Sequence, residues 1–262
     1  MTHRKSLSLM RELTLAVVPL FFGVYLFAAL LETYKDDMSA RKDLVLDFYR
    51  PMREAQADCR ATEQQLMLAY GTQAGTYTLM LSEFDHMASA DPATLTRDYD
   101  VLPRSIIESN NKITAQVGEL TTKLDVCTRT LYRKYEEVAL ATATYDQFLD
   151  IARQRDAAVR APYAKRAALL DEVAAKFKPG SMMDTLRQSL TSDVDTAEAK
   201  AAMKVKLHAM GDPAAELYTQ LAQTEQAILK VEQDTDAQLI ALFAKEVSWR
   251  YKRGLLRMLW PW

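Results

Sequence analysis

Glu83 and His86 stand three residues apart, the Glu-x-x-His spacing that puts two metal ligands on one face of a helix in di-iron bundle proteins. That chemistry needs a second such pair and two further glutamates on facing helices. Neither His3 nor His208 follows a glutamate at that spacing, so the pair reads as a solvated helix end. Asp193, Asp195 and Glu198 have the look of a calcium loop but lack its glycine and its remaining ligands, and cap a helix more naturally. Ser39 and Lys42 have the Ser-x-x-Lys spacing without the companion motifs that such nucleophiles use. There is no P-loop, no dinucleotide fingerprint, no His-Glu-x-x-His and no Gly-x-Ser-x-Gly. The residues therefore predict no catalytic set, no metal site and no cofactor, and a protein that is not an enzyme.

What remains is architecture. The chain has 262 residues, 49% of them apolar, with 33 Lys+Arg against 35 Asp+Glu. A charge so near zero argues against a general nucleic-acid binder, which would be strongly basic. Seven glycines are too few for a turn-rich sandwich or barrel.

Leu13 to Leu31 form nineteen residues without a charge, bracketed by Glu12 and Glu32. As a helix they would rise ~28 Å, close to a hydrocarbon thickness of ~30 Å. The run is longer than the apolar core of a signal peptide, and no small-x-small cleavage site follows it, so an uncleaved transmembrane anchor is expected. Arg4, Lys5 and Arg11 make residues 1–12 a basic tail, while Lys35, Arg41, Lys42 and Arg50 lie on the far side. The count of basic residues is nearly even. The shortness of the tail favours a cytoplasmic N-terminus and a body outside the cytoplasm, that is, a single-pass protein of a bacterial inner membrane with a periplasmic body. A cytoplasmic body is the alternative.

Beyond residue 35 apolar residues recur at helical steps, and no segment alternates with period two, so the fold expected is all-α. The first stripe runs through Leu44, Phe48, Ala55, Cys59, Leu66, Tyr70, Tyr77, Met80 and Phe84, with Pro51 expected to kink or break it. Gly71 and Gly75 share a face and suit a close helix crossing. The second stripe, Ile106 to Leu149, keeps three-four spacing for about six heptads, the mark of a coiled-coil seam. A helix restarting at Pro162, shorter pieces to Met210, and a boundary at Gly211-Asp212-Pro213 precede a last stripe from Leu217 to Leu242. The predicted body, residues 36–246, is an elongated antiparallel helical bundle: a long hairpin 36–158, shorter helices 162–210 and a long helix 213–246. Matching rods of ~80 Å joined by a short link suggest the hairpin. It would place Cys59 and Cys127 at similar height and allow a disulfide in an oxidising compartment; two buried thiols are the alternative.

Residues 247–262 concentrate Trp249, Arg250, Tyr251, Lys252, Arg253, Arg257, Trp260 and Trp262 with no acidic residue. Aromatic and basic side chains together suit a bilayer interface; docking on the bundle itself or on a partner is the alternative. The function expected is a membrane-anchored structural or scaffold subunit. Its partners would be the lipid bilayer and other proteins, a second copy included, and not nucleic acid. The alternatives are a helical sensor or regulatory module working with a partner chain, and a membrane-perturbing effector with a cytoplasmic body.

Overall fold

A computed structural model describes residues 14–89, 101–176 and 197–251, and every element among them is a helix. Among the described residues, helix runs from Thr14 to Ser89 without interruption. It comprises a π-helical turn Phe21–Leu26, α1 (Phe27–Asp43), a second π-helical turn Leu44–Tyr49 and α2 (Arg50–Ser89). Then follow α3 (Val101–Ala141), α4 (Tyr145–Lys176) and α5 (Ala197–Tyr251).

The first turns of this column expose Leu15, Leu20, Val24, Tyr25 and Phe27. None of its apolar window is buried against the rest of the chain, and by length and composition the helix is able to cross a membrane. The apolar segment and the first rod are thus one helix rather than two joined elements.

Pro51, expected to kink or break a helix, and Pro162 and Pro213, expected to start one, all lie within continuous helix. Pro162 lies inside α4 and Pro213 inside α5, and α2 passes through Pro51. Each proline deprives the carbonyl four residues earlier of its donor. For Pro162 and Pro213 those carbonyls belong to Ala158 and Ala209, both exposed residues, where solvent can replace the lost bond. At Pro51 the π-helical turn Leu44–Tyr49 lies immediately upstream and widens the helix where the ring would crowd it.

The predicted helix 104–158 is divided instead at Thr142–Thr144. The Ala143 N–H donates to Leu140 O at 3.2 Å and the Thr144 N–H to Ala139 O at 2.9 Å, the paired bonds of a Schellman stop. Ala143 takes the left-handed φ of 56° that glycine usually supplies. The hydroxyls of Thr142 and Thr144 are buried against each other at 2.8 Å. A sequence signal for this start exists: Thr144 is followed three residues later by Gln147, the capping-box spacing.

Gly71 and Gly75 are exposed, and a Cβ at either would meet nothing, so they make no helix crossing among the described residues. The close approach is at Gly211, where a Cβ would stand 2.6 Å from Leu81 Cδ2. Gly211 is therefore a contact between α2 and α5 and not the end of a helix.

α2 packs on both α3 and α5, and α5 in turn carries α4. The interior has two apolar blocks. One joins Met52, Cys59, Leu131, Tyr135, Val138, Phe148, Leu239 and Phe243. The other joins Leu66, Tyr70, Tyr77, Met80, Leu120, Leu169, Leu207, Leu217, Tyr218 and Leu221. Between the two blocks α2, α4 and α5 also carry charged residues, beside the buried Val159, Ile228 and Leu229.

Candidate functional site

Four carboxyl groups lie in this intermediate layer: Glu63 on α2, and Glu225, Glu232 and Asp236 on α5. None is more than 3% exposed, so each needs a partner inside the protein. Arg60 on α2 and Arg155 and Arg166 on α4 supply it. Arg60 Nε donates to Asp236 Oδ2 at 2.7 Å and Nη2 to Asp236 Oδ1 at 2.9 Å. The same guanidinium reaches Glu232 Oε2 at 3.0 Å and Glu63 Oε2 at 2.9 Å. Arg155 holds Glu232 through Nε, at 2.9 Å from Oε1, and through Nη2. Arg166 Nη1 donates to Glu225 Oε1 at 3.2 Å.

Tyrosines close the layer. Tyr135 donates to Asp236 Oδ1 at 2.5 Å, and Tyr132 to Glu232 Oε2 at 3.4 Å. The guanidinium carbon of Arg155 stands 4.8 Å from the centre of the Tyr132 ring, and that of Arg166 4.7 Å from Tyr163, both cation–π distances.

The environment moves several protonation equilibria. Burial works against the charge of Arg60, but the hydrogen bond and charge of Asp236, with Glu232 and Glu63, outweigh it and hold the pKa above its ordinary value. Burial likewise opposes Arg155, which its bond to Glu232 keeps charged. Burial pushes Glu63 up to about 7, only partly countered by Arg60. It also raises Glu225, against Arg166, and lifts Tyr70 to about 12. The layer is thus a set of paired charges with one carboxyl group near neutrality.

Beside the layer, Cys59 and Cys127 are joined in a disulfide with their Cα atoms 5.3 Å apart, linking α2 to α3. Farther along, Gln73 Nε2 donates to Thr114 Oγ1 at 3.1 Å. At the far end of α2, Asp85 meets His208 Nε2 and Lys204 Nζ, each at 3.0 Å, while His208 Nδ1 lies 3.1 Å from Asp212. The two carboxylates raise the pKa of His208, Asp85 first. Nearer the apolar segment, Arg41 is buried and ion-paired with Asp37.

His86 is exposed and Glu83 half-buried. Among the described residues no three His, Cys, Asp or Glu side chains gather as a metal site. Asp193 and Asp195 lie outside the described residues. So does the basic aromatic tail beyond Tyr251, which includes Lys252, Arg253, Arg257, Trp260 and Trp262, while the backbone of Val247 to Tyr251, with Trp249 and Arg250, belongs to α5.

The charged layer was not read from the sequence. Thr224, Ile228 and Thr235 on the last stripe are interior, and so are Glu225, Glu232 and Asp236 beside them, which an apolar period alone does not pick out. The signal lay in the spacing: Glu225, Glu232 and Asp236 follow the same steps of seven and four as the apolar stripe. No protein-family model, curated protein or solved structure matches the chain.

Proposed function

We propose that the protein is a membrane-anchored, non-enzymatic scaffold subunit whose helical body sets a fixed reach from the bilayer and binds partner proteins. The observation that carries this reading is the unbroken helix from the exposed apolar turns at Thr14 into the packed rod ending at Ser89. An anchor continuous with the body transmits position without a hinge. The interior is filled by two apolar blocks and a paired-charge layer, an arrangement suited to holding shape.

In this reading α2 and α3 form an antiparallel coiled-coil hairpin, with α5 antiparallel to α2. Cys59 paired with Cys127 and Gln73 with Thr114 support the first, since partner numbers fall as α2 advances. Arg60 with Asp236 and Asp85 with His208 support the second. The disulfide supports a body in an oxidising compartment, hence periplasmic with the N-terminus cytoplasmic, in a bacterial inner membrane. The tail from Trp249 to Trp262 would return to the bilayer surface as a second attachment.

The test is purification of the full chain from its own membrane in mild detergent, with a topology reporter fused after Trp262. A stoichiometric protein partner and an extracytoplasmic reporter are expected. A chain that purifies alone, or a cytoplasmic reporter, overturns the corresponding part. The tail is tested by replacing Trp260 and Trp262 with alanine: partner-bound protein with unchanged protease protection of the tail removes the second attachment.

A sensory or regulatory module is the second reading. It is favoured by the buried ionisable layer, which a purely mechanical column does not need, because apolar residues of similar volume are often at least as stabilising.

A further inference from the structure

The interior layer holds four carboxyl groups and three guanidinium groups, and the hydrogen bonds say which carboxyl is in excess. Asp236 takes both ends of the Arg60 fork. Glu232 takes Arg155 at two nitrogens, and Glu225 takes Arg166. Glu63 is left with Nη1 of Arg60, whose Nε and Nη2 are already committed to Asp236 and Glu232. Besides Arg60, the charges that act on Glu63 are the carboxyl groups of Glu232 and Glu225, and the other titratable groups of the layer have partners of their own. From α3 come the phenols Tyr132 and Tyr135, which donate to Glu232 and Asp236. From α4 come Arg155, Arg166 and Tyr163, with both arginines taken. From α5 come the carboxyl groups of Glu225, Glu232 and Asp236.

We propose that Glu63 is a proton-binding site inside the bundle, neutral when the layer is intact, and that loss of its proton loosens α2 against α5. Glu63 Oε2 accepts from Arg60, so the proton sits on the other carboxyl oxygen and exchanges with solvent when the layer opens. Ionisation leaves a net negative charge in a site with 2% exposure, which burial disfavours. The direction agrees with a carboxyl pushed up to about 7 by burial, with Glu232 and Glu225 adding to the effect. The proposal depends on neither the scaffold nor the sensory reading, because it concerns the interior of the bundle alone.

The experiment uses the full chain in lipid nanodiscs and an infrared pH titration between pH 5 and 9. A protonated-carboxyl band that titrates around neutrality and is absent from Glu63→Gln is expected. Glu225→Gln removes a neighbouring negative charge and keeps Glu63 in place, so the midpoint of that band moves to lower pH. Hydrogen exchange of α2 amides near Glu63, corrected for intrinsic rates, becomes about tenfold faster between pH 6 and 8.5 in the unmodified chain and not in Glu63→Gln. No titrating band, a band that survives Glu63→Gln, or a midpoint unmoved by Glu225→Gln overturns the assignment. Equal pH dependence of exchange with and without Glu63 overturns the loosening. If Glu63→Gln does not fold, the Glu225→Gln midpoint still decides the matter.

Discussion

Arg60 is the residue on which three buried carboxyl groups converge. Its replacement by methionine would keep much of the volume and leave Asp236 without its fork. Breaking a buried pair from one side typically costs ~3–5 kcal/mol, and chemical denaturation of Arg60→Met should show a loss of that order. The pH response has a definite sign. Glu63 binds its proton more tightly folded than unfolded, so stability falls as pH rises from about 4.5 through about 7. His208 acts in the same sense: its raised pKa gives stability that is full below about 6.5 and is lost as pH rises through the folded value. Thermal unfolding should therefore occur at lower temperature at pH 8 than at pH 6, and Glu63→Gln should remove most of that difference. These roles were hidden from the sequence because a charged side chain is assigned to water by default. Only the packing of α4 beside α5 brings Arg155 and Arg166 to the glutamates that make their burial tolerable.

At the level of the element, the sequence gives the helical period well and the stops poorly. Steps of three and four found the interior faces of α2, α3 and α5, down to Cys59, Leu66, Leu120, Leu131, Leu221 and Leu239. Proline and glycine misled, because both are judged by local cost while the fold decides where that cost falls. Pro162 and Pro213 spend their missing bond on exposed residues, and Gly211 serves a close contact. Glycine-to-alanine exchange separates these cases. Gly71→Ala and Gly75→Ala meet open space and should each add up to about 1 kcal/mol in thermal unfolding. Gly211→Ala drives a methyl into Leu81 and should lower the unfolding temperature instead. The turn at Ala143 offers the converse exchange: Ala143→Gly relieves the left-handed backbone at an exposed position and should raise stability by somewhat under 1 kcal/mol.

For the whole molecule, the apolar segment near the N-terminus and the all-helical body were legible from composition and period alone. The order of packing was not, because it depends on where α3 stops, and that rests on three residues, Thr142 to Thr144. The disulfide closes a loop across that order, its cysteines 68 positions apart in the chain. The chain-entropy relation for such a loop gives about 4 kcal/mol, so a Cys59→Ser, Cys127→Ser double variant should lose stability of that size in chemical denaturation.

The layer around Arg60 also fixes how far one rod stands along another. Apolar seams repeat every seven residues and tolerate sliding by one repeat. Sliding α5 by seven in one direction would bring Leu229 to the place of Asp236; in the other, Leu239 and Phe243 would replace Glu232 and Asp236. Either slip sets a greasy side chain against the guanidinium fork. The column thus carries a detent, and the offset between its rods is held by a lock of opposite charges as well as by the fit of its oily surfaces.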